Sequence, residues 1–109
     1  MERLLVERVV LKVFKDTELV YTGNIYDTRE YIEKLLEEKL GFFVSLQEYF
    51  DVEEKEYFVY LHTDAYEDLE DEQLDQLFDF GISEHEMPTT KNILKLFNLE
   101  IAFSHFLNC

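Results

Sequence analysis

The pattern of this chain predicts an α+β domain, with an antiparallel sheet and helices packed on one of its faces. Three observations carry that expectation. Two stretches, near residues 4–22 and 42–62, alternate apolar residues with period two and turn back on themselves across polar residues. An amphipathic stretch with helical period stands between them, and the period beyond residue 64 is again helical. The expected order is ββαββαα, in one domain of 109 residues.

Each element has its own signal. Leu4 to Phe14 reads as a strand with Leu5, Val9, Leu11 and Val13 on one wholly apolar face; Leu4, Val6, Val10 and Phe14 share the other with Arg8 and Lys12. Lys15-Asp16-Thr17 is a tight turn, and Glu18 to Thr22 returns as the second strand. Asp27 and Glu30 have the spacing of a capping box. Tyr31, Ile32, Leu35, Leu36 and Leu40 then form one helical face, opposite Glu30, Glu33, Lys34 and Glu37, and Gly41 is placed to end the helix. Phe42 to Phe50 and Glu56 to His62 read as a second hairpin joined by the exposed Asp51–Lys55 connection. Aromatic residues on both faces of its second strand predict either an interior strand or one exposed aromatic face.

Asp64 to Phe80 reads as an acidic helix beginning near Asp68. Tyr66, Leu69, Leu74, Leu77 and Phe80 are its apolar side, Asp68, Asp71, Glu72, Asp75 and Asp79 the opposite stripe, and Gly81 the stop. Met87-Pro88-Thr89-Thr90 reads as a loop, and Asn92 to Phe106 as an apolar helix that is buried or forms a homodimer interface. The alternative for that segment is a break near Asn98 followed by a short strand.

Charge is distributed very unevenly. Residues 48–86 hold fifteen of the twenty-five carboxylates and a single base, Lys55, whereas residues 1–47 hold nine acids and seven bases. An apolar content of 47 % and an aromatic content of 16 % separate the chain from disordered acidic tails, which lack aromatics. A net charge of −15 excludes direct nucleic-acid binding and anionic membranes, both of which need Lys and Arg. The one cysteine, Cys109, permits no intrachain disulfide, Met1–Arg8 lacks the uncharged core of a signal peptide, and no apolar run is long enough to span a membrane; a cytoplasmic location is expected.

Catalytic and metal motifs are poorly matched. A calcium loop beginning at Asp64 would need glycine where Leu69 stands and glutamate where Asp75 stands. His62, His85 and His105 are scattered, so no zinc site is expected. Glu53-Glu54-Lys55 matches a Glu-x-Lys nuclease element, but it falls in a turn whose surroundings repel phosphate. No phosphate-binding glycine loop and no serine-nucleophile motif occur, so neither an enzyme nor a cofactor is expected.

What remains is the acidic surface itself. Residues 64–79 carry eight acids and no base. On one continuous helix that is roughly one charge per 3 Å, near the ~3.4 Å spacing along one DNA strand. Like charges four apart, as at Asp71/Asp75 and Asp75/Asp79, weaken a helix. In size, charge and α+β pattern the chain resembles the small acidic DNA-mimic inhibitors of phages and mobile elements, including anti-CRISPR and antirestriction proteins. The resemblance implies a basic nucleic-acid-binding protein as partner. The residues expected to meet it are the stripe Asp68, Asp71, Glu72, Asp75 and Asp79, a second patch of Glu53, Glu54 and Glu56, and Tyr60 and Tyr66 as neutral anchors. The competing expectation is a self-associating structural or regulatory domain whose acids confer solubility.

Overall fold

The first strand, β1 (Val9–Lys15), turns one apolar face into the core. Val9, Leu11 and Val13 are fully buried on one face, as alternation predicts. The structure is a computed structural model and describes residues 7–107. Leu4, Leu5 and Val6, read as the start of this strand, and Cys109 lie outside the described residues. β1 turns through Asp16 and Thr17 into β2 (Glu18–Gly23), with Lys15 paired to Glu18. Both turn residues have positive φ, 51° and 70°, the conformation a two-residue hairpin turn requires.

Helix α1 (Ile25–Leu40) starts earlier than the capping-box spacing predicts. Asn24, not Asp27, is the N-cap: its Oδ1 accepts the Asp27 amide at 2.8 Å. Gly41 ends the helix at φ 87°, as expected. Glu33 departs from its expected solvated face and is only 5 % exposed. Its Oε2 accepts the Leu46 amide at 2.8 Å and pairs with Arg29 at 2.8 Å, and Arg29 also reaches Glu48 at 3.0 Å. This chain of charges fastens α1 to β3 (Leu46–Asp51), which pairs with β4 (Glu56–Leu61).

The acidic segment is not one helix. A single turn, α2 (Ala65–Asp68), is followed by extended backbone at Leu69 and Glu70 and then by α3 (Asp71–Asp79). The Glu70 amide donates to Gln73 Oε1 at 2.9 Å, so a new helix start is capped where continuity was expected. The final helix, α4 (Glu86–Phe97), contains Met87–Thr90, which the sequence assigned to a loop. Pro88 sits in its first turn, where no amide is needed. The helix stops at Asn98, which is left-handed (φ 55°), and the chain continues as β5 (Leu99–Phe106). The continuous helix to Phe106 is therefore not formed, and the alternative break near Asn98 is what occurs. The face invoked for a helical homodimer is not present, since Phe103 and Phe106 belong to a strand packed on the core.

Among the described residues the architecture is α+β, in the order ββαββαααβ, with two antiparallel sheets in place of the single one expected. One sheet has the order β2-β1-β5, the other is the β3–β4 hairpin. Each long helix touches both sheets: α1 lies on β1, β2 and β3, and α4 on β4 and β5. One core serves them all, from Leu11 and Ile32 to Val59, Leu77 and Ile93. The sheets stay separate because β4's outer edge is already occupied. Thr90 Oγ1 accepts the Val59 amide at 2.9 Å and donates to the Val59 carbonyl at 2.8 Å, and Leu61's amide donates to the Ser83 carbonyl at 2.8 Å. No helix among the described residues is long and apolar enough to cross a membrane.

Two stability predictions follow from this geometry. Thr17 is β-branched in a left-handed turn position, so Thr17→Gly should stabilise the protein by about 1 kcal/mol, read by urea denaturation. Burial, reinforced by the Glu48 carboxylate and opposed by Arg29, pushes the Tyr57 phenol well above its ordinary value of 10.0, and its hydroxyl donates to the Ile25 carbonyl at 3.0 Å. The folded state thus holds this proton more tightly than the unfolded chain. The stability it contributes is complete below pH 10.0 and is lost as pH rises toward the folded value. Tyr57→Phe should cost about 1 kcal/mol at neutral pH and flatten the alkaline decline, measured by denaturation across pH 8 to 11.

Candidate functional site

The β3–β4 hairpin positions the first acidic patch. Leu46, Phe50, Tyr57, Val59 and Leu61 face the core. The intervening residues face outward as three cross-strand pairs, Asp51 with Glu56, Tyr49 with Phe58 and Gln47 with Tyr60. Of the two readings of the aromatic strand, the exposed aromatic face is the one formed: Tyr49 is 48 % exposed and stacks with Phe58 at 6.1 Å between centroids. At the tip, Asp51 Oδ1 accepts the amides of Glu53 and Glu54 at 3.0 and 3.1 Å, which holds both side chains in solvent. Glu56 is exposed as the first residue of β4.

The second patch begins at the opposite end of the hairpin. Six-residue strands separate the tip from His62–Asp64 by roughly 17–20 Å. Asp68 closes α2, Asp71 and Glu72 occupy the first turn of α3, Asp75 is central and Asp79 is last; all five are exposed. The break at Leu69–Glu70 removes Asp68 from the stripe of α3, so the continuous charged rod expected over residues 64–79 is replaced by two short pieces at an angle set by that break. Asp71/Asp75 and Asp75/Asp79 remain like-charged neighbours on one helix. Gly81, at φ 78°, ends α3, and its carbonyl accepts from Asn92 Nδ2 at 2.9 Å. A Cβ at Gly81 would collide with the Asn92 amide, so α3 is held closely against α4.

These carboxylates have little internal compensation. Within residues 48–86, the acids with a basic side chain within 4 Å among the described residues are Glu48, paired with Arg29, and Asp64, 3.5 Å from the His62 ring. The His62 Nδ1 already accepts the Asp64 amide at 3.0 Å, so that second contact adds little. Among the described residues no three His, Cys, Asp or Glu side chains converge as metal ligands. The segment weighed as a calcium loop, from Asp64 to Asp75, is largely helical.

Tyr60 and Tyr66, expected as anchors, lie on different elements. Tyr60 is half-buried on the outer face of the hairpin; burial, with repulsion from Glu86 and Glu48, raises its phenol pKa. Tyr66 is 38 % exposed, and its ring meets Phe78 at 6.2 Å. Its pKa is raised by burial and by Glu84, against a backbone hydrogen bond at Glu84. Phe78, 44 % exposed, was missed by the sequence reading. Its signal was its position three residues after Asp75 and seven after Asp71, which puts an aromatic ring inside the acidic stripe rather than on the apolar face. Tyr49 and Phe58 were legible in the same way, being in phase with Tyr60 across the hairpin. A shallow cleft of ≈ 400 Å³ lies beside Phe58, between β4, Met87 of α4 and β5.

No family model, curated protein or solved structure matches this chain.

The placement of acids along α3 has a measurable consequence. Asp71 and Glu72 complement the positive N-terminal end of the helix, whereas Asp79 faces its negative end with no basic residue in the last turn. Asp79→Asn should therefore raise stability by a few tenths of a kcal/mol at low ionic strength, since it relieves both the helix end and the repulsion from Asp75. The difference should shrink in high salt, as read by urea melts at two ionic strengths.

Proposed function

We propose that this protein is a noncatalytic inhibitor that occupies the basic nucleic-acid groove of a DNA-binding enzyme. A CRISPR nuclease or another defence enzyme is the first target class, as for inhibitors of phages and mobile elements. The reading places the protein in the cytoplasm. The observation that carries it is the set of exposed carboxylates on α2, α3 and the hairpin tip that have no cationic partner within the described residues. Self-repulsion of this kind lowers stability. In a basic groove the same charges meet Lys and Arg, and their field speeds encounter before contact is made. Rings beside the acids, the exposed Tyr66 with Phe78, the exposed Tyr49 with Phe58, and the half-buried Tyr60, supply the desolvated contacts that slow dissociation. Direct nucleic-acid binding has no place in this reading, because the surface repels phosphate.

The decisive experiment is capture of host proteins by the intact chain at low and high salt, followed by quantitative binding to the protein captured. The variant carrying Asp68→Asn, Asp71→Asn, Asp75→Asn and Asp79→Asn keeps side-chain size and removes four charges. It should bind its target at least about tenfold more weakly at low salt, with a flatter salt dependence. Unchanged affinity and salt dependence would reject this stripe as the contact.

A further inference from the structure

We infer that the outer face of the β3–β4 hairpin is an arginine-reading platform, which takes guanidinium groups of a basic partner on the rings of Tyr49, Phe58 and Tyr60. The inference rests on the reading of a cationic partner and adds which cation is recognised, and where. Three features of this face converge on that chemistry.

The first is the unbroken run of cross-strand pairs, Gln47/Tyr60, Tyr49/Phe58 and Asp51/Glu56, all on the side of the hairpin turned away from the core. Tyr49 is half exposed and paired with Phe58, while Phe58 and Tyr60 are half-buried, Phe58 bordering the cleft that Met87 and Lys91 of α4 and Lys55 also line, so the open part of the face is the Tyr49 side. The second is the Asp51/Glu56 pair itself. Two carboxylates directly opposite each other across antiparallel strands are destabilising; the Glu53 and Glu54 amides offset part of the Asp51 charge, and neither acid has a cationic partner within 4 Å among the described residues. A cation seated between them would relieve that repulsion. The third is the far end of the face, where Glu86 lies close enough to Tyr60 to raise its phenol pKa, after burial. The rings are thus bordered by carboxylates at both ends.

This arrangement discriminates between the two basic side chains. A guanidinium is planar and weakly hydrated; it stacks on an aromatic face while its edge N–H groups reach carboxylates beside the ring. An ammonium is compact and strongly hydrated, and gains less from a flat ring. The chain already holds one such contact, with the Arg29 guanidinium 5.9 Å from the Tyr26 ring centroid. The exposed acids of α2 and α3 act over distance on any cation, whereas the hairpin face selects arginine at contact.

The test uses the full chain and two synthetic peptides of equal length and charge, one of arginine and one of lysine, with binding measured by calorimetry at fixed salt. The arginine peptide should bind about three- to tenfold more tightly. The variant Tyr49→Leu with Tyr60→Leu should lose that preference and keep its affinity for the lysine peptide. The variant Tyr49→Phe with Tyr60→Phe retains the rings and should retain the preference, so a folding defect in the leucine variant does not decide the outcome. Equal binding of both peptides by the wild type, or a preference that survives in a folded leucine variant, would overturn the platform and leave the cationic-partner reading standing. Failure of both peptides to bind would overturn both.

Discussion

The hydroxyl of Thr90 seated on the edge of β4 is the contact from which the rest of the arrangement follows. It receives the Val59 amide and returns a hydrogen bond to the Val59 carbonyl, so one side chain of a helix stands where a strand would otherwise pair. Ser83 closes the next rung at Leu61, and Thr89 in turn holds Ser83 through both its amide and its carbonyl. A buried strand edge must have its polar groups satisfied, and this is a compact way to do it. With β4 closed, the hairpin cannot join β5, and the domain divides into two sheets around one core. The inner face of the hairpin is then filled by α1 and the core residues, and the outer face stays partly open to solvent, with Tyr49 exposed and Phe58 and Tyr60 half-buried.

Two classes of carboxylate result. Glu33 and Glu48 are consumed internally, with Arg29 between them and the Leu46 amide on Glu33, so they lock α1 to β3. The remaining acids of residues 51–79 are turned outward with almost nothing to balance them. The distinction matters because a buried acid deprived of its partner costs several kcal/mol, whereas an exposed one costs only tenths. Neutralising the outer set is therefore a probe of recognition, and neutralising Glu33 or Glu48 would be a probe of the fold.

Much of the local structure was legible. Alternation identified the buried face of β1, the glycine at position 41 marked the end of α1, and the 3.6-residue period found Leu74 and Leu77. What escaped were decisions made by tertiary contacts. The capping box at Asp27 was a local pattern overruled by Asn24, one turn earlier. Glu33 has the helical phase of a surface residue, and only the approach of Arg29 and Leu46 makes it internal. The sequence from Asn92 to Phe106 is apolar in any period, so helix and strand were both compatible with it. Pairing with β1 decides the matter, aided by an asparagine that tolerates a left-handed backbone. The acidic site was visible as composition and as individual residues; its division into two pieces at Leu69–Glu70, and the ring of Phe78 among the acids, depend on how α2 folds back on α3.

The pairing of β1 with β5 also governs when this protein can assemble. Val9 meets Phe106 and Lys15 meets Leu99, so the central strand waits for a neighbour far downstream in sequence. Contacts this distant in sequence are slow to close, because most of the chain must be ordered before they form. During synthesis, α1 and the β3–β4 hairpin can collapse early, while Leu11 and Val13 lack their second flanking strand until residues 99–106 have left the ribosome. The acids of the intervening segment are exposed throughout that interval, and mutual repulsion between nascent chains would keep the unfinished sheet from meeting its own kind.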